Sequence, residues 1–170
     1  MKKTLIIASF FLSYFLQAQV NIGGSTMSSP SVSLEFGTGN KGIILPWVTS
    51  AANVTNSVDG TLIYDTTDHK VKLKSNNVWQ DLSKDENGVS NTTIQDNKTE
   101  QANSKVVIGT TNENTSGILV LSDTNKAMVL PKVAKPYLNI INPSAGMMVY
   151  DTDARQLAVF NGNVWTFWKP

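Results

Sequence analysis

The sequence contains the same pattern twice, and a duplicated folding unit constrains the architecture more than any other feature of this chain. The two copies are offset by 85 residues in the first part of the pattern and by 86 in the second. The first copy contains Leu34, Asn40-Lys41, Leu45-Pro46, Gly60, Tyr64-Asp65-Thr66 and Asn77-Val78-Trp79. The second contains Leu119, Asn125-Lys126, Leu130-Pro131, Gly146, Tyr150-Asp151-Thr152 and Asn163-Val164-Trp165. The shared positions are apolar, turn and aromatic residues, so the duplication indicates an architecture and not a catalytic centre.

The N-terminus has the three parts of a secretory signal peptide. Lys2 and Lys3 form a charged beginning, residues 5–16 are predominantly apolar, and Ala18-Gln19 offers a cleavage point. The apolar stretch is shorter than the ~20 residues that cross a bilayer as a helix, which favours a cleaved signal over a retained membrane anchor. We therefore expect an exported protein in the extracellular space or on the outer-membrane surface, with the periplasm as an alternative. No transmembrane span is expected after cleavage.

The composition argues against some classes of binding partner and excludes chemistry that depends on cysteine. Loss of Lys2 and Lys3 with the signal would move the formal charge from +1 to −1, and a near-neutral chain argues against nucleic acid as a partner. The sequence has no Cys, which excludes disulfides, thiol catalysis and thiolate metal sites. An exported protein without disulfides must gain its stability from apolar burial, from repeats or from association.

Both copies predict β-strands and hairpins. Val32, Leu34 and Phe36 alternate with polar residues, as in a half-buried strand. Each copy ends in three strand-like runs, at 62–64, 71–73 and 78–82 and again at 147–150, 157–160 and 164–168. Asn161-Gly162 predicts a two-residue type I′ turn, because both residues tolerate positive φ. The expected fold is all-β, with two tandem hairpin-rich repeats joined by a polar linker, and a fibre-like oligomer is one form it could take.

The domain boundaries follow from the repeat and from a polar stretch between its copies. We assign a signal peptide to 1–19, a first β repeat to 20–83, a polar linker to 84–105 and a second β repeat to 106–170. Apart from Val89 and Ile94, the linker has almost no large apolar residue, so it cannot bury enough surface to offset the entropy of ordering. We expect it to be flexible or to lie extended over neighbouring structure.

The second hairpin indicates a surface that associates. Residues 147–150 and 157–160 are consecutive apolar runs, so both faces of these strands favour burial. A repeat of roughly 60 residues has too little material to cover both faces by itself. Either the two repeats pack together or several chains associate.

No residue pattern predicts a reaction or a cofactor. His69 is the single histidine and lies in a turn that has no histidine in the second copy, which is typical of a solvated side chain. The pairs Asp65/Asp68 and Asp151/Asp153 could offer hard oxygens to calcium, but capping of a short turn explains them more simply. A hairpin tip has no dry pocket to raise a carboxyl pKa for acid–base catalysis. We expect a non-catalytic protein without a cofactor or metal.

Six aromatic side chains are candidates for an interaction surface: Trp47, Trp79, Trp165, Trp168, Tyr64 and Tyr150. Trp79 and Trp165 occupy equivalent positions inside strands, which favours burial in a core or a subunit interface. Trp47 and Trp168 have no aromatic counterpart, because Lys132 and Leu82 stand in the other copy. An exposed ring of this kind could stack on a sugar.

The motifs resemble a family of secreted proteins of the Bacteroidota. In the first copy the match is Gln19 to Gly23, Lys41 to Pro46, Gly60 to Thr66 and Asn77 to Trp79. In the second copy it is Val107 to Thr110, Lys126 to Pro131, Gly146 to Thr152 and Phe160 to Trp165. The resemblance implies an exported, surface-associated or extracellular protein, similar to phage tail-fibre-like segments that assemble as β-rich oligomers. It implies no established reaction.

We interpret the chain as an exported, non-catalytic structural or assembly protein that associates through apolar β-hairpins. Its expected partner is another copy of itself or another envelope protein. The alternative is a glycan- or host-surface-binding adhesin module that uses Trp47 or Trp168. A hydrolase has the weakest support, because no acid–base pair lies in a plausible cleft.

Overall fold

The computed structural model describes residues 19–99, 101, 104–109 and 113–169, so the predicted signal peptide lies outside the described residues except for Gln19. The described part of the chain contains fourteen strands, two 3-10 turns and one helical turn. The predicted all-β fold class is confirmed.

Each copy supplies seven strands in the same order. The first copy forms β1 (Val20–Ile22), β2 (Val32–Phe36), β3 (Ile43–Ile44), β4 (Trp47–Val48), β5 (Leu62–Asp65), β6 (Lys70–Ser75) and β7 (Val78–Asp81). The second forms β8 (Val106–Ile108), β9 (Leu119–Leu121), β10 (Ala127–Val129), β11 (Lys132–Val133), β12 (Met147–Asp151), β13 (Gln156–Phe160) and β14 (Trp165–Trp168). The 3-10 turns are Ala51–Asn53 and Thr92–Ile94, and the helical turn is Pro136–Asn139.

The pairing of strands within the two copies is the same. Strands β4 to β7 form one sheet in chain order and β11 to β14 form another, each with a parallel first pair and two antiparallel pairs. Strands β1 and β2 pair in parallel, and so do β8 and β9. Parallel neighbours that follow each other directly in the chain stack successive turns, as in a β-solenoid.

The turns between the last two strands differ between the copies. In the first copy, Ser75 pairs with Val78, and Asn76 and Asn77 form a two-residue turn with φ of 51° and 59°. In the second copy the strand pairing ends at Phe160 and Trp165, but the N–H of Asn161 still donates to the carbonyl oxygen of Val164 at 3.2 Å, so Gly162 and Asn163 form the turn. The predicted hairpin turn is therefore present, but its two central residues lie one position later than the predicted Asn161-Gly162, and of these two predicted residues only Gly162 has positive φ. The Asn161 side chain explains the displacement, because its Oδ1 accepts hydrogen bonds from the N–H groups of Asn163 and Val164 and so places Asn161 before the turn.

The two copies also exchange strands. Strand β3 of the first copy pairs antiparallel with β12 of the second, with Ile44 opposite Met147. Strand β10 of the second copy pairs in parallel with β2 of the first, with Met128 opposite Leu34. Backbone ladders therefore join the repeats, and neither repeat has all its strand partners within its own copy.

Two core clusters follow from this exchange. The shared core cluster combines Leu45, Tyr64 and Val71 of the first copy with Ala145, Met148 and Val159 of the second. The second cluster belongs to the second copy alone and contains Val133, Ile140, Met147, Val149, Ala158 and Phe160. The shared core cluster places the aromatic residue of one repeat against the turn of the other, which is where the candidate site lies.

The first residues of the predicted linker pack on the second copy. The N–H of Val89 donates to the carbonyl oxygen of Asn161 at 3.2 Å, and Asn161 Nδ2 donates to the carbonyl oxygen of Asp85 at 3.1 Å. Gly88 is buried, and a Cβ at this position would come within 2.5 Å of the Cβ of His69. This part of the linker therefore lies extended across the Asn161 loop.

Candidate assembly interface

Two complementary faces of the repeat meet inside the chain. The tyrosine face, in the first copy, consists of Leu45, Trp47, Tyr64 and Val71. The glycine face, in the second copy, consists of Ala145, Gly146, Met148, Val159 and Asn161. We call their contact the repeat junction.

Tyr64 is the centre of the repeat junction. Its side chain lies in β5, is fully buried, and donates its hydroxyl hydrogen bond to the carbonyl oxygen of Asn161 at 2.7 Å. The hydroxyl oxygen also lies 3.3 Å from Nδ1 of His69. Burial raises the pKa of the Tyr64 hydroxyl to about 12, so this group is a hydrogen-bond donor at physiological pH.

Gly146 allows the tyrosine ring to approach the backbone. Its φ is +73°, and a Cβ at this position would stand 2.8 Å from the Cβ of Tyr64. Trp47 closes the same contact from β4, because its indole Nε1 donates to the carbonyl oxygen of Ala145 at 2.8 Å. The rings of Trp47 and Tyr64 are 6.2 Å apart, at an angle of 51°. The structure thus brings together two of the six aromatic residues that the sequence selected.

The other four aromatic candidates lie elsewhere. Trp165 is half-buried against the second cluster, with its ring 5.3 Å from that of Phe160. Trp79 is half-buried under the ammonium of Lys74, which stands 5.3 Å from the ring centroid and gives a cation–π contact. Trp168 is half-exposed at the end of β14. Tyr150, the counterpart of Tyr64, is 36% exposed.

The aspartates of the hairpin turns cap the backbone. Asp65 accepts hydrogen bonds from the N–H groups of Ala51 and Thr67, at 2.8 and 3.0 Å. Asp151 accepts from the N–H groups of Lys135 and Asp153, at 3.1 and 2.9 Å. Within the described ranges, no group of three or more histidine or acidic side chains is placed to hold a metal ion.

A groove with mixed polar and apolar lining lies beside Trp47. It has a volume of about 400 Å³ and is bordered by Trp47, Thr49, His69 and Asp96 among other residues. One aromatic edge surrounded by hydroxyl, imidazole and carboxylate groups is the kind of lining that can bind a sugar.

The sequence analysis did not select the residues of the glycine face as candidate site residues. Gly146 and Asn161 contribute a close backbone approach and a carbonyl oxygen, and neither property depends on side-chain chemistry that a motif would show. The signal that could have found Gly146 is its alignment with Gly60, because an identical glycine in both copies indicates a backbone requirement.

The comparisons with known proteins point to assembly. A family model described as the phage tail like trimerisation region matches residues 107–169. The second repeat is similar to a phage tail like trimerisation region. The match covers less than half of the chain, and it supports tail-fibre-like character and self-association. No curated protein and no solved structure matches the chain.

One further observation concerns membranes. Among the helices in the described ranges, none combines the length and the apolar character needed to cross a bilayer.

Proposed function

We propose that this protein is an exported, non-catalytic structural component that self-associates, as a trimer, into a fibre-like assembly on the cell surface or outside the cell. The N-terminal signal pattern supports the export. The capping role of Asp65 and Asp151 supports a structural use of the acidic residues that a reaction would otherwise need.

The observation that carries this proposal is where the exposed aromatic residues lie. All four exposed aromatic side chains of the described residues lie within the matched region 107–169: Tyr137, Tyr150, Phe167 and Trp168. The rings of Tyr137 and Phe167 contact each other edge to face at 5.9 Å. Aromatic residues are enriched in the cores of protein–protein interfaces, and a trimerisation region that exposes them has a surface ready for association.

The test is the mass of the chain lacking residues 1–19, measured by sedimentation over a range of concentrations. We expect the mass of a trimer, and a strict monomer at high concentration would contradict the proposal. The double variant Phe167→Ser/Trp168→Ser should shift the equilibrium toward monomer. Val78→Ser/Ile94→Ser is the matched control, because both residues are exposed and apolar but lie outside the matched region.

Export is tested separately. Residues 1–30 fused to a reporter that is active only outside the cytoplasm should give activity, and the N-terminus of the mature protein should begin at Val20. A reporter that stays inactive, or a protein that keeps Lys2 and Lys3, would contradict the proposed location.

A second function, glycan binding, is favoured by the groove beside Trp47. Binding to a glycan array should then weaken in Thr49→Ala and Asp96→Ala, which border the groove, and not in Asp153→Ala on the far hairpin. Equal binding by all three variants would remove this alternative.

A further inference from the structure

We propose that copies of this chain join head to tail through a second use of the repeat junction, in which Tyr150 of one chain packs on the Gly60 turn of the next. This inference rests on the proposed self-association and specifies the surface that carries it. Its partner is a second copy of this chain.

The repeat junction inside the chain has a direction. It joins the tyrosine face of the first copy to the glycine face of the second. The tyrosine face of the second copy and the glycine face of the first copy therefore have no partner face in this junction, and we call them the free faces. The free tyrosine face consists of Leu130, Lys132, Tyr150 and Leu157, which align with Leu45, Trp47, Tyr64 and Val71. The free glycine face consists of Asp59, Gly60, Leu62, Leu73 and Ser75, which align with Ala145, Gly146, Met148, Val159 and Asn161.

The residues of the free faces are more exposed than their counterparts in the repeat junction, as expected for surfaces whose partner is absent. Tyr64 is fully buried, whereas Tyr150 is 36% exposed. A Cβ on Gly146 would collide with Tyr64, whereas a Cβ on Gly60 meets nothing within 4 Å. Because φ is positive at both glycines, +73° and +92°, the free turn already has the backbone that receives a tyrosine.

The end of the last strand repeats this contrast. Leu82, near the end of the first copy, packs against the shared core cluster. Its counterpart Trp168 pairs with Leu157 across β13 and β14, so it projects from the same side of the sheet as the free tyrosine face. Trp168 is 51% exposed, so about half of this large side chain is open to a partner in the described structure.

Strand pairing shows the same open position. The β3–β12 pair places Leu45 so that its N–H donates to the carbonyl oxygen of Gly146 at 3.1 Å. The equivalent bond would run from Leu130 to Gly60, and in the described chain no strand pairs with this part of the β5 edge. Strand β9 likewise has β8 as its single described partner, whereas its counterpart β2 has both β1 and β10. The free edges of β5 and β9 are therefore the counterparts of the edges of β12 and β2, which pair with β3 and β10 inside the chain.

The proposed junction between chains contains a pair of opposite charges at a position where the junction within the chain has uncharged residues. Where Trp47 donates to Ala145 inside the chain, the aligned residues are Lys132 on the free tyrosine face and Asp59 on the free glycine face. Both are exposed, and they carry opposite charges. Asp59 accepts a hydrogen bond from the N–H of Asn77 through Oδ1 at 2.8 Å, and in the proposed contact its second oxygen, Oδ2, would pair with Lys132 of the next chain. Opposite charges at this position favour the correct pairing of faces.

Head-to-tail contacts of this kind are heterologous, and heterologous contacts close into rings or continue as fibres. The half-buried Leu62, Leu130 and Leu157 border the shared core cluster on the side of the free faces. Another repeat placed there would extend this core, in agreement with the three-fold assembly that the family match suggests.

Charge reversal tests the proposed contact in the chain lacking residues 1–19. Asp59→Lys alone and Lys132→Asp alone should each weaken self-association at least tenfold in sedimentation, and the double variant D59K/K132D should restore it. The controls are Lys98→Asp and Asp153→Lys, which reverse exposed charges outside both faces and should leave the association constant unchanged. Weakening that the double variant does not reverse would overturn the contact.

Cross-linking adds a readout that separates contacts between chains from contacts within a chain. Because the sequence has no Cys, the variant Asp59→Cys/Lys132→Cys can form disulfides at these two positions only. Oxidation should give covalent oligomers larger than dimers, while each single variant stops at dimers. A disulfide within one chain, or no cross-link in an oligomer that otherwise forms, would overturn the inference and leave the proposed function standing. A wild-type chain that remains monomeric would overturn both.

Discussion

The two repeats place opposite chemistry on the same strands. On the hairpin face that points away from the shared core cluster, the first copy carries Lys70 and Lys72 in β6, and the second copy carries Gln156 and Ala158 at the aligned positions of β13. The polar version forms an ion-pair network in which Lys72 is buried, and the apolar version builds the second cluster.

In the first copy, an ion-pair network occupies this face. Lys72 Nζ lies 2.5 Å from Asp68 and 2.8 Å from Asp81, and Lys70 Nζ lies 2.9 Å from Glu86 and 3.1 Å from Asp81. Burial acts to lower the pKa of Lys72, but the hydrogen bonds with Asp68 and Asp81 outweigh it and leave this pKa raised. The hydrogen bonds with Glu86 and Asp81 also raise the pKa of Lys70.

In the second copy, Phe167 and Ala154 replace the two aspartates. The helical turn Pro136–Asn139 leads into Ile140, which covers the apolar face together with Val133. The difference teaches that the inner face defines the repeat, whereas the outer face can hold either a network of ion pairs or an apolar core.

The largest expected effect comes from transferring the polar chemistry to the apolar copy. Ala158→Lys should destabilise the protein by about 3–5 kcal/mol, because it places a lysine in a fully buried position without a carboxylate partner. Urea unfolding measures this loss. Gln156→Lys is the matched control and should cost less than about 1 kcal/mol, since this position is half-buried at the hairpin end. Equal costs would contradict the assignment of Ala158 to the apolar core of the second copy.

The second prediction compares the two turn glycines. Gly146→Ala should cost about 3 kcal/mol, because left-handed strain and a collision with Tyr64 add together. Gly60→Ala should cost about 1–2 kcal/mol from left-handed strain alone, since space around this glycine is open. Thermal unfolding at concentrations below self-association measures both. A larger loss for Gly60→Ala would contradict the assignment of used and free faces.

The third prediction compares the two tyrosines. Tyr64→Phe should cost about 1 kcal/mol, because it removes the buried hydrogen bond to the Asn161 carbonyl oxygen. Tyr150→Phe should change the stability of the isolated chain by less than about 0.5 kcal/mol, since its hydroxyl is in a partly exposed side chain. Urea unfolding of both variants at low protein concentration provides the comparison. Equal losses of stability would contradict the assignment of Tyr64 to a used face and Tyr150 to a free face.

The smallest expected effect is a pH dependence of the stability that the Tyr64–Asn161 hydrogen bond contributes. Burial raises the pKa of Tyr64 to about 12, above its ordinary value of 10.0. Its contribution to stability is therefore complete below pH 10 and is lost as the pH rises toward 12. The stability difference between wild type and Tyr64→Phe should shrink across this range. A constant difference up to pH 12 would show that Tyr64 ionises without cost in the folded chain.

Part of the candidate site could be predicted from the sequence. Tyr64 and Trp47 were selected because one is duplicated and the other is an unmatched aromatic residue, and the structure places both in the repeat junction. Their partners were not predictable in the same way, since Ala145 and Asn161 act through backbone carbonyl oxygens. The Asn161-Gly162 turn was predicted one residue too early, because the hydrogen bonds that Asn161 Oδ1 accepts place this residue before the turn and not within it.

By itself, the sequence determined the all-β class, the duplication and the hairpins, because alternating apolar residues and turn residues act within a few positions of each other. The tertiary structure alone decided which strands pair between the two copies. The aligned strands β3 and β10 show this most directly, since one adds antiparallel to β12 and the other adds in parallel to β2. A strand edge offers the same N–H and C=O groups to any partner, so the choice depends on which apolar faces are buried together when the two copies fold against each other.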